Sequence, residues 1–376
     1  MTAITLRMDE RRKGIHMSAE FTANGNATLI GSLPLKDHRE AALLVLEHTP
    51  DIPLWVQLPA YRQEGMMTQF LSGFPGLVLT ENRTYIDTDA ATFEEDLLSF
   101  YEEYFAVAEG NGDMEQSRFA LAGDTAPGFF EMLVQLEKQA RSPLALKGQI
   151  TGPFTLGTGL TDQNGRAIFY DERLRDVCVK MLAMKARWQV GKLSEFGRPV
   201  LIFFDEPALT GFGSSAFISI SQREIAECFR EVIEAVHGQG GLAGIHVCAN
   251  AEWSLVLDSA ADIVSFDAYA YFDRFLLYPE PLKRFVKKGG IIAWGIVPTL
   301  SPEELEKETV DSLTAMWHER AGRLGAVTGM SADDVLSCSL ITPACGTGSL
   351  TPAQAKRALR LTAEVAQRIR KRSKDR

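Results

Sequence analysis

The chain has 376 residues, a formal net charge of -10, and 45% hydrophobic against 23% charged residues, the proportions of a globular protein with a sizeable core. The negative balance argues against nucleic acid or an anionic membrane as the main partner, since both call for clustered positive charge. No apolar run reaches the roughly 18 to 20 residues that a spanning helix needs, and the start, MTAITLRMDERRKGIHMSAEF, carries charges where a signal peptide has its apolar segment. A cytoplasmic protein is expected.

Residues 1–26 lack periodicity and read as an N-terminal tail, with Met17 as an alternative start. From residue 27 to 376 short apolar runs alternate with longer amphipathic ones. The predicted strands cover 27–31, 53–58, 144–150, 199–204, 242–247, 262–266, 290–294 and 335–341. Helical patterns cover 171–196, 222–236, 302–324 and 352–371, the last two opened by Ser301-Pro302 and Thr351-Pro352, a cap followed by proline at the first helical position. The interval 59–143 is too long for one crossover and is expected to lay helices, at 92–108 and 127–140, over the mouth of the fold. Eight doubly buried strands alternating with helices predict an α/β fold, a single (β/α)8 TIM barrel of parallel strands without a second domain. The basic run at 368–374 reads as a solvated helix end.

In such a barrel the chemistry sits at the C-terminal ends of the strands, and there the unusual residues fall. Ser32 follows the first strand, Thr151-Gly152-Pro153 the third and Asp205-Glu206-Pro207 the fourth. His246 and Cys248 close the fifth, Asp267 follows the sixth, and Cys345 sits in a turn-rich loop after the eighth. Taken alone, His246 and Cys248 are two same-face residues of a strand and fit a core as well as a metal. With Cys345 and Asp267 they supply an imidazole, two thiolates and a carboxylate, the tetrahedral and partly soft shell that suits Zn2+. Of the remaining cysteines, Cys178 and Cys228 lie in helical patterns and Cys338 in a strand, and all three read as core thiols. Asp205 follows an unbroken apolar strand and has two readings, a helix N-cap or a group awaiting a cationic partner.

Together these motifs resemble the C-terminal catalytic barrel of the cobalamin-independent methionine synthases, in the superfamily that includes uroporphyrinogen decarboxylase and the methylcobalamin:coenzyme M methyltransferases. The likeness runs from about Leu29 to Val365, through Ile30-Gly31-Ser32, Thr151-Gly152-Pro153, Asp205-Glu206-Pro207-Ala208-Leu209, His246-x-Cys248 and Pro343-Ala344-Cys345-Gly346. It implies a zinc-dependent transfer of a methyl group to a thiol, homocysteine or a related acceptor, and a place in methionine biosynthesis. By the resemblance His246, Cys248 and Cys345 hold the metal, with Asp267 where the family has a glutamate. Asp205 is the expected catalytic residue, and Gly31, Ser32, Asp205 and Glu206 form the substrate-binding set.

Two stretches depart from the family. Where it has histidine-glycine-glutamate after the second strand, the glutamate gripping the substrate ammonium, this chain has Leu58-Pro59-Ala60. Where the folate enzymes carry an asparagine-tryptophan, residues 156–160 read LGTGL, and their N-terminal domain has no counterpart. These departures point to a methyl donor other than methyl-folate, such as a methylcorrinoid carried by a partner protein. They leave open a coenzyme M-like acceptor, or a non-catalytic zinc-binding module that partners a corrinoid protein.

Overall fold

A computed structural model describes residues 21–374. Ten strands are formed: β1 (Asn26–Ala27), β2 (Leu77–Leu79), β3 (Thr84–Ile86), β4 (Leu146–Thr151), β5 (Thr161–Asp162), β6 (Val200–Asp205), β7 (Leu242–Val247), β8 (Ile263–Phe266), β9 (Ile291–Val297) and β10 (Ser339–Pro343). Seven of them make one parallel sheet in the order β1-β10-β9-β8-β7-β6-β4. Its two edges, β1 and β4, are both approached by the segment 53–58. Gln57 forms a parallel bridge with Ser32, and Leu54 forms another with Lys147 of β4. The chain is thus an α/β protein with a curled parallel sheet. β2, β3 and β5 form a separate small sheet.

Period-2 alternation sorts the side chains of the large sheet. Leu201, Phe203, Ile263, Ala293 and Leu340 point to the inside and pack as a small inner core with Ala23, Ile52, Ala145 and Ile291. The other parity, including Ile202, Phe204, Ile245, Val264 and Trp294, joins the large layer between strands and helices. Both faces are buried, which is why the strands read as unbroken apolar runs. The same parity places Lys147, Gln149, Asp205, His246, Ser265 and Asp267 on the inner face, so the charged and ligating exceptions in these strands point inward, while Ser339 of β10 faces outward and accepts from Trp294 Nε1.

Four sequence expectations are corrected. The run 335–341 is not all strand: Ser331 and Asp334 form a capping box that starts the helix Ala332–Ser337, Cys338 closes that helix, and only Ser339–Pro343 enters the sheet. The pattern 302–324 is two helices, Pro302–Lys307 and Val310–Thr328, because Thr309 takes an extended conformation and caps the second. The first strand is shorter than expected, while residues read as tail already belong to the fold. Ala23 is fully buried, Asn24 N donates to Ser337 O, and Gly25 N donates to Ser339 O; residues 1–20 lie outside the described residues.

The fourth correction concerns the mouth. Helix Phe93–Ala108 lies against helix Glu172–Ser194, tied by Tyr101 Oη to Asp176 at 2.7 Å and by Glu94 to Arg173 at 2.9 Å. Helix Pro127–Glu137 packs on Trp55 and Trp188 through Phe129. Neither covers the strand ends. The stretch 59–71, with short helical turns at Arg62–Glu64 and Thr68–Phe70, takes that place, and Thr151 Oγ1 donates to Met66 O. Among the described residues no helix is long and apolar enough to cross a membrane.

Candidate metal and substrate site

The ends of β6, β7 and β10 bring Asp205, His246, Cys248 and Cys345 to one cavity of about 250 Å3, whose wall also includes Gly31, Ser32, Gln57, Glu64 and Met66. One ligand atom each from His246, Cys248 and Cys345 lies within 4.8 Å of the others. His246 is 3% exposed and opposes Ser265 in the β7–β8 register. Its Nδ1 is 2.9 Å from Ser265 Oγ, while its Nε2 is buried without any hydrogen-bond partner. A metal-binding histidine fixes one ring nitrogen through a neighbour and presents the other, and this ring is held that way. An imidazole and two thiols make a donor set that fits zinc, and three protein ligands leave one tetrahedral place free.

The two sulfurs titrate as a pair. A hydrogen bond from Cys345 pulls the Cys248 thiol down to about 4 against the opposing effect of burial, with His246 adding to the pull. The same bond, then burial, then the Cys248 charge push Cys345 up. These shifts favour the thiolate on Cys248, and thiolate is the ligating form.

The loop that carries Cys345 is fastened on two sides. Thr299, buried after β9, accepts from Cys345 N at 2.9 Å and donates to Cys345 O at 3.1 Å. Ser32 takes the other side: its carbonyl accepts from Thr347 N at 2.9 Å and its Oγ accepts from Gly348 N at 3.2 Å. A Cβ on Gly346 would sit 2.2 Å from Ser32 Oγ, so glycine permits this approach. Ser32 lines the cavity as expected, but its polar atoms serve mainly to seat the last loop.

The other predicted residues separate. Asp267 is not in the cluster; its Oδ1 accepts from Ala270 N at 2.9 Å as the N-cap of helix Ala268–Phe275. Aspartate at a strand end is short enough to fold back onto that helix start, and burial raises its carboxyl to about 6. Glu206 is fully buried and turned away from the cavity, its carboxylate accepting from Phe154 N, Thr155 N and Thr155 Oγ1 at 2.9, 2.8 and 2.6 Å. It caps the helix Pro153–Gly159 that follows Thr-Gly-Pro, with burial holding its carboxyl up at about 7. Gly31 is at the cavity wall.

Asp205 faces the cavity and caps nothing. Its Oδ1 is buried and unpartnered, and burial raises the carboxyl to about 6 although His246 and Lys147 pull the other way. Lys147 lies behind the wall, fully buried, with Nζ donating to Ile30 O at 2.8 Å and 4.4 Å from the centre of the Phe203 ring. Burial drops its ammonium to about 7.

Sequence reading missed Ser265, Thr299, Lys147 and Glu64. Ser265 and Lys147 had a visible signal, since each is a polar residue inside an otherwise apolar strand. Thr299 and Glu64 sit in loops, where polar residues carry no such signal.

No protein-family model matches this sequence, and neither does any curated protein. Among solved structures, two of the pneumococcal exo-β-D-N-acetylglucosaminidase StrH are similar in arrangement. One, of its tandem GH20 catalytic modules, shows 11% identity over 91% of this chain and 85% of that one, with a TM-score of 0.45. The other, a study of its inhibition and N-glycan recognition, shows 10% identity over 91% and 83%, with a TM-score of 0.46. A fungal β-1,4-galactanase reaches 12% identity over 67% and 83%, with a TM-score of 0.32. Likeness at this level assigns no chemistry to the chain.

Proposed function

We propose that this chain is a zinc-dependent thiol S-methyltransferase of the methionine synthase kind, on a (β/α)8 barrel in which the segment 53–58 serves as the second of eight staves. The observation that carries the reading is the trio His246, Cys248 and Cys345, converging within 4.8 Å at a cavity wall with the histidine Nε2 lacking any other partner. Zinc held there would let a thiol substrate ionise near neutral pH, supplying a sulfur nucleophile. Homocysteine or a related thiol is the acceptor, and a methylcorrinoid on a partner protein is the donor. With such a donor the substrate sulfur would take up the methyl group as a new carbon–sulfur bond, and the electron pair of the broken bond would remain with the corrinoid.

The chain's own residues bind and orient. Asp205 Oδ1 is positioned for a cationic group of the substrate, which would repay the burial of an unpartnered carboxylate oxygen. Ser32 and Thr299 hold the Cys345 loop in place, and Pro59, Met66 and Pro207 line the cavity and limit water. Asp267 takes no metal in this scheme.

The test combines metal analysis with methyl transfer from free methylcobalamin to a panel of thiols. About one zinc per chain is expected, with thiol-dependent loss of methylcobalamin. Cys248→Ala should lose both. A zinc-free wild type, or transfer that survives in Cys248→Ala, would refute the reading.

A further inference from the structure

A second cavity, of about 420 Å3, lies at the opposite end of the sheet from the metal cluster, and the proposed chemistry leaves it unused. It opens where helices His38–His48 and Pro352–Lys374 end, beside β1. His48, Arg141, Arg370 and Lys371 stand on its wall, and among the described residues Asp51 is the wall's one acid. Two guanidinium groups and an ammonium thus face one carboxylate, in a chain whose net charge is -10.

Cations at a helix C-terminus suit the macrodipole, which accounts for Arg370 and Lys371 but not for Arg141. Arg141 stands in the loop between helix Pro127–Glu137 and β4. Asp51 brings it to the others: its Oδ1 is 2.5 Å from Arg141 Nη2 and its Oδ2 is 3.5 Å from Arg370 Nη1. The backbone fixes Asp51 in turn, since its carbonyl accepts from Leu144 N at 2.8 Å and from Ala145 N at 3.2 Å. Arg370 Nη1 also donates to Asn26 Oδ1. Among the described residues each guanidinium is engaged through a single nitrogen, Nη2 of Arg141 and Nη1 of Arg370. A guanidinium has further N–H donors on its other nitrogens, and one carboxylate leaves the excess positive charge in place.

Two guanidinium forks steadied by a shared carboxylate, with an ammonium on the same wall, match the oxygens of a phosphate group. The volume is in the range of sites for small organic ligands rather than for a bare ion. Ala27, Pro50 and Ala363 supply apolar surface for the body that carries the phosphate, and Gln367 supplies a polar contact. We infer that this cavity binds a small phosphomonoester, its phosphate held by Arg141, Arg370 and Lys371. The inference stands apart from the methyltransferase reading, because none of these residues borders the metal cavity.

Calorimetric titration of the full chain with ribose 5-phosphate, inorganic phosphate and ribose, at fixed ionic strength, tests it. The ester should bind about tenfold more tightly than inorganic phosphate, and ribose should not bind. Arg141→Gln and Lys371→Gln each remove a charged contact at the surface and should weaken the ester by about tenfold while leaving zinc content and the unfolding midpoint unchanged. Arg223→Gln, a charge removed from helix Gln222–Gly238, should alter ester binding by less than about twofold. No binding of the ester at millimolar concentration overturns the inference. So does a loss in Arg223→Gln equal to that in Arg141→Gln, which marks general attraction of an anion to a charged surface. Inorganic phosphate that binds as tightly as ribose 5-phosphate overturns the ester in favour of the free ion.

Discussion

Ser265→Ala isolates the contact that orients His246. The two residues face each other across β7 and β8, both almost fully buried, with 2.9 Å between Nδ1 and Oγ. Removing the hydroxyl leaves Nδ1 without a partner in a dry interior, at a cost of about 1–3 kcal/mol, and frees the ring to place its proton on Nε2, the nitrogen that must be bare to ligate. Loss of such a supporting contact weakens metal binding by about 10- to 100-fold, or about 1.4 to 2.7 kcal/mol. Competition for zinc against a chromophoric chelator reads this directly, with Cys248→Ala as the reference for a lost ligand. The stoichiometry should remain one zinc per chain, with the affinity lowered. An affinity within about twofold of wild type would show that Nε2 is not a ligand, because a histidine outside the shell has no reason to depend on its partner.

Asp267→Asn should leave zinc affinity nearly unchanged, while Asp267→Ala loses an N-cap worth about 1 kcal/mol in denaturant unfolding; a loss of more than about tenfold in zinc affinity for the asparagine variant would return Asp267 to the ligand set. Zinc uptake at pH 7 should release about one proton per chain, the one the Cys248–Cys345 pair retains, as read by calorimetry in buffers of different ionisation enthalpy; release of none would contradict the shared-proton arrangement. Glu206 has a folded-state carboxyl raised from 4.5 to about 7, so its stabilising contribution is complete below about pH 4.5 and is lost as pH rises through 7. The stability of wild type relative to Glu206→Gln should therefore fall by on the order of 3 kcal/mol between pH 4.5 and 8, and a pH-independent difference in urea midpoints would refute it. A Cβ on Gly295 would meet Phe266 O at 2.5 Å and the Cα atoms of Ala344 and Asp267 at 2.7 and 3.2 Å. Gly295→Ala should thus force β8 and the Cys345 loop apart and weaken zinc binding well before it disturbs the helical signal in circular dichroism.

The strands of the sheet were legible because burial on both faces writes an apolar run, and their ends were legible because a charged or ligating residue there breaks it. At β7 the signals agree, and residues 242–247 match the expected span: Gly240 and Gly241 end the preceding helix and His246 marks the inner face. Around 331–338 the sequence signals competed: Val335 and Leu336 suit a strand, but the Ser331–Asp334 box starts a helix locally and that closer constraint won. Asp267 shows a similar competition, because one of its oxygens serves as a helix cap. Sequence places it at the right strand end, and only the position of Ala270 N shows that Oδ1 is already engaged. Glu64 lay beyond reach because its route into the cavity depends on a loop that has no period to read.

Buried groups without partners occur in more than one place, Trp188, Trp253 and Trp317 Nε1 and Thr314 Oγ1 among the helix-facing ones, but those on the inner face of the sheet point together toward a ligand. Gln149 Oε1, Asp205 Oδ1, His246 Nε2 and Thr342 Oγ1 are all buried without partners, and all belong to inward-facing positions of the sheet. Each such group costs about 1–3 kcal/mol if it stays unpaired, and a structural protein would replace them with the aliphatic residues found lower in the same strands, Leu201, Ile263 and Leu340. The inner core is apolar toward one end and under-satisfied toward the other. That gradient follows the strands toward the end where Cys248 and Cys345 meet, and the two unpaired groups that line the cavity there, Asp205 Oδ1 and His246 Nε2, are the ones that a substrate and a metal would satisfy.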